Sequence, residues 1–295
     1  MTTAPATTTQ PTLLPFAHPG GSAPRQASFV ERPDCRLYYE STGQGPALVF
    51  AHGLGGNHLS WWQQVAAFCG RYRCITFSHR GFAPSSTPDG GPDPQDYAGD
   101  LAALLAHLRI GDFAIVGQSM GGWTALGAAL AGGQGMRAMV LAATSGPIDP
   151  AQCGADAALA AWQSTATREL VAGRADGVHP AIGRRAAQEQ PAAHFLYRAL
   201  DELSTGLDKD QLRGRLMRGR NRPGRDLAGI AVPTLWLTGA EDVVFPSPVA
   251  GPMAALMPAA RHVELPETGH SAYFERPADF NRILAGFLDE VFPAG

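Results

Sequence analysis

A glycine-flanked serine in the first half of the chain limits its fold more than any other feature. The segment Gly117-Gln118-Ser119-Met120-Gly121 follows an apolar run at residues 113–116 and precedes small residues with helical character at 122–130. The pattern G-x-S-x-G between a strand and a helix predicts a tight turn with the serine at its apex. Glycine is needed on both sides, because a side chain there would clash as the turn closes. We therefore expect Ser119 to stand at one edge of a sheet.

The composition is typical of a globular protein with a substantial core. The chain has 295 residues, of which 45% are hydrophobic and 17% are charged, and its net charge is −3. No basic footprint indicates nucleic-acid binding, and no apolar run approaches the length of a membrane span. We predict a cytoplasmic protein that acts on a small-molecule substrate, without nucleic-acid or membrane partners. The sequence carries no signal for an oligomeric state.

The four cysteines indicate neither a metal site nor a redox pair. Cys35, Cys69, Cys74 and Cys153 form no C-x-x-C motif and no Cys/His ligand spacing. Scattered single cysteines fit a reducing compartment, although a disulfide between Cys69 and Cys74 stays open at this point. We expect no metal ion and no organic cofactor.

Strand and helix signals alternate along most of the chain. Continuous apolar runs at residues 47–51 and 139–143 are typical of strands buried on both faces. Further strands are indicated at residues 71–77, 233–238 and 261–265. Such alternation predicts a mostly parallel sheet with helices on both faces.

The alternation is interrupted once. Residues 148–226 are rich in Ala, Arg and Gln and contain no clear strand run, so we interpret them as an inserted helical cap. The cap divides the core into a first part at residues 28–147 and a second part at residues 227–295. Residues 1–27 are rich in Thr, Pro and Ala, a composition that predicts a flexible N-terminal leader.

Two further residues fit the chemistry that an exposed serine needs. A serine hydroxyl is a weak nucleophile, so it requires a base within hydrogen-bond reach and an acid that orients the base. Asp242 and His270 each follow a predicted strand, at the sheet edge where Ser119 and ligands are expected. The chain order serine, acid, histidine is that of a nucleophile-elbow triad. We prefer Asp242 as the acid, with the neighbouring Glu241 as the alternative.

An acyl-transfer site also needs two fixed donors for the oxyanion. The backbone N–H groups of Leu54, in a glycine-rich loop, and of Met120, at a helix start, are the candidates. Aromatic residues near these motifs are together candidates for an apolar substrate pocket, although for each one alone core packing is the safer interpretation. These residues are Trp61, Trp123, Phe245 and Tyr273.

Four segments together resemble the α/β-hydrolase superfamily from about residue 30 to the end. They are His52-Gly53, residues 78–85, residues 117–122, and Gly269-His270 with Glu275-Arg276-Pro277 following. The resemblance implies an eight-stranded α/β sheet with a helical cap over the site. Ser78-His79 stands where members often carry an aspartate before Arg-Gly, and Ala83 stands where a glycine is common. We expect these departures to alter loop packing rather than chemistry.

The leading functional prediction is a serine hydrolase that cleaves a small or medium apolar carboxylic ester or lactone through an acyl-enzyme on Ser119. The first alternative is a carbon–carbon bond hydrolase of aromatic ring-cleavage products. An acyltransferase, a cofactor-independent dioxygenase and a ligand receptor are further alternatives on the same fold. Haloalkane dehalogenases and epoxide hydrolases resemble this layout but place Asp at the nucleophile position, so the serine disfavours both.

Overall fold

The structure, a computed structural model, describes residues 13–18 and 20–293. Its strands are β1 (Phe16–His18), β2 (Gly21–Ala23), β3 (Arg25–Glu31), β4 (Arg36–Thr42), β5 (Ala47–Ala51), β6 (Arg73–Phe77), β7 (Phe113–Gln118), β8 (Met136–Ala142), β9 (Thr234–Gly239) and β10 (Ala260–Leu265). Its α-helices are α1 (Trp62–Phe68), α2 (Tyr97–Leu108), α3 (Gly121–Leu130), α4 (Asp156–Ala175), α5 (Arg184–Glu189), α6 (Pro191–Glu202), α7 (Lys209–Gly219), α8 (Ala250–Ala255), α9 (Ala272–Glu275) and α10 (Pro277–Val291).

An eight-stranded sheet lies at the centre, in the order β10-β9-β8-β7-β5-β6-β4-β3. The six strands from β10 to β6 run parallel, whereas β4 is antiparallel to β6 and β3 is antiparallel to β4. The predicted α/β fold with a mostly parallel eight-stranded sheet is therefore confirmed. The chain passes from β5 outward to β6 and then returns to β7 on the other side of β5. Loops diverge at such a reversal, which is where open α/β sheets bind ligands.

The central strands are buried on both faces. Every residue of β5 and β7 is buried, as expected for strands covered by helices above and below. Alternate residues supply opposite faces: Val49 and Ile115 belong to one core cluster, and Leu48 and Val116 belong to the other. Helices α2, α3 and α8 cover the first face, and α1 and α10 cover the second. This double core fixes the strand ends that carry the site.

The predicted flexible leader extends too far along the chain. Residues 25–27 belong to β3, which pairs with β4 over seven residues, and both Ala23 and Ala27 are 2% exposed. β1 and β2 pair as a short antiparallel hairpin before this strand. The strand is hard to see in the sequence because only Ala27 and Val30 of its seven residues are buried, and their spacing of three shows no apolar alternation. Residues 1–12 and 19 of the predicted leader lie outside the described residues.

The connection between β8 and β9 contains the four helices α4 to α7. These helices occupy the stretch interpreted as a cap, and the division of the chain into core and cap remains a prediction. All four cysteines are buried free thiols, so Cys69 and Cys74 form no disulfide. Within the described ranges, none of the helices has both the length and the apolar character needed to cross a membrane.

Candidate active site

The turn after β7 holds Ser119 in a strained conformation. Ser119 has a φ of 51°, in the left-handed region that residues other than glycine rarely occupy. Its N–H donates to Ala142 O at 2.9 Å, which ties the turn to β8. A Cβ atom placed on Gly117 would lie 2.5 Å from Gly121 O, and one placed on Gly121 would overlap Ala51 O. The glycines are therefore required by space, as the sequence pattern predicts.

The crowding at Gly121 gives a direct test of the turn. Gly121→Ala should lower the free energy of unfolding by about 1–3 kcal/mol and displace Ser119, because the new methyl group meets backbone. Gly286→Ala is the matched control, since Gly286 is an exposed interior residue of α10 with open space at its Cβ position. The control should gain about 0.5–1 kcal/mol. Equal stability of the two variants in denaturant titrations would contradict this description.

Asp242 and His270 form a buried, oriented pair. His270 Nδ1 lies 2.8 Å from Asp242 Oδ2, and their side chains are 4% and 0% exposed. Asp242 Oδ1 accepts the backbone N–H groups of Val244 at 2.7 Å and Phe245 at 2.9 Å, which fixes the carboxylate plane. A proton on Nδ1 directed at this carboxylate leaves Nε2 as an acceptor. The imidazole is thus in the tautomer that a general base requires.

The His270–Asp242 pair lies against the serine turn, but it makes no hydrogen bond to the Ser119 hydroxyl among the described residues. Gln118 Nε2 donates to His270 O at 3.3 Å, which places the histidine beside the residue before Ser119. Among the contacts of the described residues, no hydrogen bond joins Ser119 Oγ to His270 Nε2. Contacts of this kind often shorten only when substrate binds. The structure therefore orders the His270–Asp242 pair, and within the described residues the Ser119 hydroxyl makes no hydrogen bond.

Glu241, the alternative acid, has a different partner. Its carboxylate binds Arg185 through two nitrogens, with Nε at 3.0 Å and Nη2 at 2.8 Å from Oε1. Arg185 belongs to α5, so this exposed ion pair connects the loop after β9 to the helical stretch. The geometry favours Asp242 over Glu241 as the partner of His270.

The two candidate oxyanion donors are both available. Within the described part of the chain, neither Leu54 N–H nor Met120 N–H donates to a backbone acceptor. The loop that carries Leu54 runs close to the turn, because a Cβ atom placed on Gly53 would lie 3.2 Å from Ser119 Cβ. Leu54 follows β5 and Met120 follows β7, the neighbouring strands at the reversal of the sheet. An oxyanion above Ser119 would find both donors on the same sheet edge.

His52 holds the Leu54 donor in place. His52 Nε2 accepts the backbone N–H of His79 at 3.0 Å, so the ring proton lies on Nδ1 and is donated to Gly53 O at 2.7 Å. Gly53 C=O and Leu54 N–H belong to one planar peptide group, so fixing the carbonyl also fixes the N–H. Burial lowers the pKa of His52 to about 3, which keeps the ring neutral. This contact gives His52 a positioning role.

Ser78 and His79, which depart from the usual sequence of the superfamily, make hydrogen bonds within and around their loop. Ser78 Oγ donates to Ala83 O at 3.0 Å, and His58 Nδ1 lies 3.0 Å from the same hydroxyl. His79 Nε2 lies 2.8 Å from Thr124 Oγ1 in α3. Both side chains are thus fixed in the packing of the loop, in line with the expectation from the sequence.

Three buried histidines predict a loss of stability in mild acid. Burial lowers the pKa of His52 to about 3 and of His58 to about 4, the latter against an opposing effect of Glu40, and it also lowers the pKa of His79. In the unfolded chain these groups bind protons near pH 6.5. The unfolded state therefore binds more protons below pH 6.5, and the free energy of unfolding should fall between about pH 6.5 and 4.

The contribution of one histidine can be isolated in the same measurement. His58→Gln should flatten the pH dependence of the free energy of unfolding by about one proton, or about 1.4 kcal/mol per pH unit, below pH 6.5. Carboxylates other than Glu40, which lies 3.6 Å from His58 Nε2, contribute equally to both proteins, so the difference between the two curves reports His58 together with this contact. Parallel curves from urea titrations at pH 4.5 to 7.5 would contradict the assignment.

Three of the four aromatic residues predicted for the substrate pocket are core residues. Trp61 and Tyr273 stack with ring centroids 4.3 Å apart and belong to the core cluster under α1 and α10. Phe245 is 3% exposed and packs in the cluster on the opposite face. These bulky side chains fill the space between sheet and helices. The burial of Trp61, Phe245 and Tyr273 favours the core packing that the sequence analysis gave as the safer interpretation for each of them.

Trp123, the fourth, lies in an apolar group beside the serine turn. Its members come from the loop after β6, from the serine turn, from α2 and α3, and from α7 of the helical stretch. They are Phe82, Tyr97, Met120, Trp123, Leu212 and Leu216, with Leu54 and Leu207 packed against them. The sequence analysis missed Leu212 and Leu216, although their i, i+4 spacing is a helical signal. The group surrounds both oxyanion candidates with apolar side chains.

A cavity of about 580 Å³ lies on the acid side of the site. Residues of α4 and α5, the segment between them and residues 240–243 line it, and Ser119 does not. Trp162 Nε1, from α4, donates to Asp242 O at 2.8 Å at its wall. The cavity therefore adjoins Asp242 rather than Ser119.

Comparison with known proteins agrees with the fold. The sequence profile of the alpha/beta hydrolase family matches residues 48–283. The chain belongs to this family. As an alpha/beta hydrolase it is an enzyme of the hydrolase class.

One sequence relative and two solved structures are similar to this alpha/beta hydrolase. It is 31% identical over 267 residues to 3-oxoadipate enol-lactonase 2 of Acinetobacter baylyi, over 86% of this chain and 94% of the relative. A hydrolase from Pseudomonas aeruginosa PA01 superposes with a TM-score of 0.69 at 26% identity, over 89% of this chain and 98% of the other. A bromoperoxidase from Bacillus anthracis, at 23% identity, shares the fold with a TM-score of 0.71, over 90% and 99% of the two chains.

Proposed function

We propose that this alpha/beta hydrolase cleaves a small or medium apolar carboxylic ester or lactone through an acyl-enzyme on Ser119. The observation that carries the proposal is the buried His270–Asp242 pair, 2.8 Å apart, beside a serine in a strained turn. Burying a charged carboxylate and holding a serine at positive φ both cost stability. A site for proton transfer to and from a nucleophile explains why the two occur together.

In the proposed acylation step, Ser119 Oγ attacks the carbonyl carbon while His270 Nε2 takes the hydroxyl proton. The carbonyl oxygen becomes an oxyanion and accepts hydrogen bonds from Leu54 N–H and Met120 N–H. The protonated imidazole donates on its other side to Asp242, which stabilises its charge. Collapse of the tetrahedral intermediate breaks the bond to the leaving oxygen, which takes the proton from His270.

Deacylation repeats these steps with water as the nucleophile. His270 takes a proton from water, the hydroxide attacks the acyl carbon, and Ser119 leaves with the proton returned by His270. An ester gives an acid and an alcohol. A lactone gives one hydroxy acid, because the leaving oxygen stays attached to the acyl chain. Both reactions need only the groups described.

Two observations support an ester or lactone of modest size. The side chains around Met120 and Trp123 are apolar, and such a surface suits an alkyl or aryl group better than a sugar or a phosphate. The relative at 31% identity is named an enol-lactonase, which favours lactones as part of the substrate class.

An active-site probe tests the proposal before a substrate is known. Wild-type protein treated with a fluorophosphonate should gain one adduct in its intact mass, whereas Ser119→Ala should gain none. Ser164→Ala, in the exposed surface of α4, is the control and should be labelled like wild type. A panel of alkyl esters and lactones then defines the substrate. Absence of an adduct on wild type, with turnover of a vinylogous diketone, would instead favour a carbon–carbon hydrolase.

A further inference from the structure

Glu275, the last residue of α9, has a buried carboxylate that binds backbone. The residue is 2% exposed, and within the described residues no Arg, Lys or His lies within the 4.0 Å limit of an ion pair with it. Three backbone N–H groups donate to the carboxylate instead. Oε2 accepts Gly269 N–H at 2.7 Å, and Oε1 accepts Ser271 N–H and Gly183 N–H at 3.1 Å each. The Glu275 side chain therefore holds together backbone segments that are distant in sequence.

Two of the three donors flank the histidine of the site. Gly269 precedes His270 and Ser271 follows it. The peptide group between His270 and Ser271 is planar and carries the carbonyl of the first and the N–H of the second. Glu275 accepts this N–H, and Gln118 Nε2, from the serine turn, donates to this carbonyl at 3.3 Å. The peptide group is thus held from both sides, on one side by Glu275 and on the other by the serine turn.

The orientation of the imidazole depends on this backbone. His270 Nδ1 lies 2.8 Å from Asp242 Oδ2, and Nε2 has to be directed at the nucleophile for proton transfer. A misplacement of about 1 Å can lower the rate about 100-fold, even when its cause is remote from the reacting atoms. Contacts that fix the backbone before and after His270 therefore bear directly on the rate.

The third donor connects the same carboxylate to α5 of the helical stretch. Gly183 precedes α5 and Gln190 follows it. Gly183 N–H donates to the Glu275 side chain, and Gln190 Nε2 donates to the Glu275 carbonyl at 2.8 Å. A Cβ atom placed on Gly269 would lie 2.5 Å from Gly183 N, so the two loops are in direct contact. Both ends of α5 are thus fastened to the residue that holds the histidine loop.

This arrangement is costly to the fold. Burial raises the pKa of Glu275, and the N–H donors of Gly269, Gly183 and Ser271 oppose that effect. A buried carboxylate loses its hydration, and backbone donors replace only part of it. An exposed loop would need no such anchor, whereas a histidine that must keep a fixed geometry does.

We propose that Glu275 is a positioning residue for His270: its carboxylate fixes the backbone on both sides of the histidine and so holds the imidazole between Asp242 and Ser119. The inference rests on the proposed ester or lactone hydrolysis, in which His270 is the base, and adds a residue to it that touches neither substrate nor the reacting atoms. Because α5 is fastened at the same point, the helical stretch supports the geometry of the histidine loop.

Glu275→Gln removes part of this anchor and conserves the shape of the side chain. An amide has one acceptor oxygen, so its NH₂ group faces an N–H donor at the other position. The orientation that loses the fewest bonds keeps Ser271 N–H and Gly183 N–H and abandons Gly269 N–H, directly before His270. Glu275→Asp keeps the charge but withdraws the carboxylate by one methylene group.

The rate of labelling by a fluorophosphonate measures the effect on Ser119. The maximal rate constant kinact depends on proton transfer to His270, whereas the constant KI reports binding of the probe. Glu275→Gln should lower kinact about 10- to 100-fold and change KI less than about twofold. Glu275→Asp should lower kinact more than about threefold but less than Glu275→Gln does, and it carries the test if Glu275→Gln does not fold.

Two controls separate positioning from stability and from charge. Leu104→Ala leaves a cavity in α2, in the core cluster on the opposite face from α9, and lowers stability without touching the histidine loop. Glu267→Gln removes an exposed carboxylate from that loop. Both should keep kinact within about twofold of wild type, well below their thermal midpoints. An equal loss in Leu104→Ala, an unchanged kinact in Glu275→Gln, or a loss confined to KI would overturn the assignment.

The proton resonance of His270 Nδ1–H reports the same geometry without substrate or probe. It is expected far downfield, because the proton lies between Nδ1 and a carboxylate, and its loss in Asp242→Asn assigns it. If wild type is not labelled at all, the proposed hydrolysis is at fault and this resonance decides. A resonance that is shifted or broadened in Glu275→Gln, and unchanged in both controls, would support positioning by Glu275. An unchanged resonance in Glu275→Gln would refute it.

Discussion

Ser119→Ala should lower the turnover of any ester or lactone substrate by about 10⁴-fold or more, because no other group in the proposed mechanism can form the acyl-enzyme. The fold should be retained, since Ser119 Oγ makes no hydrogen bond among the described residues. The measurement is kcat/KM of the purified wild-type and variant proteins, with the thermal midpoint of unfolding recorded on the same samples.

The control for this variant removes a serine hydroxyl elsewhere. Ser164→Ala lies on the exposed face of α4 and should keep wild-type turnover. Residual activity of Ser119→Ala within tenfold of wild type would remove Ser119 from the mechanism. If Ser119→Ala also consumes oxygen with heteroaromatic substrates at a rate close to that of wild type, a cofactor-independent dioxygenase would be favoured.

Asp242→Asn should cost about 10⁴-fold in kcat, the size known for loss of the orienting acid in serine-protease triads. The amide accepts Val244 N–H and Phe245 N–H through its oxygen, so its NH₂ group then faces His270 Nδ1. That contact favours the proton on Nε2, the wrong tautomer for a base. Because the variant conserves shape, the loss should appear in kcat with little change in the thermal midpoint.

Glu241→Gln is the matched control for the acid. It lies next to Asp242 and undergoes the same chemical change, but its partner is the exposed Arg185 rather than His270. An exposed ion pair contributes about 1 kcal/mol or less, so activity should stay within a few-fold of wild type. The opposite order of severity would assign the acid to Glu241.

The parts of the fold set by local patterns were predictable from the sequence. The turn around Ser119 is specified by two glycines, a buried strand and a small-residue helix, and each of these is visible within about 18 residues. Asp242 and His270 were found because parallel strands bring the residues after them to one edge. Their contact at 2.8 Å agrees with that expectation, and their catalytic roles remain predictions.

Features that depend on packing between distant segments were not predictable in the same way. Trp61 and Tyr273 lie near motifs in sequence, but their rings fill the space beneath the site rather than the site itself.

The contacts of His52 have a mechanical consequence. Leu54 is held through His52 to the backbone of His79, and His79 is held through its ring to Thr124. Thr124 lies in the helix that begins just after Met120. The two candidate oxyanion donors are thus connected through hydrogen bonds between the loop after β5, the loop after β6 and α3. If they hold the oxyanion as proposed, a change at Thr124, four residues after Met120, should alter the spacing of the two N–H groups.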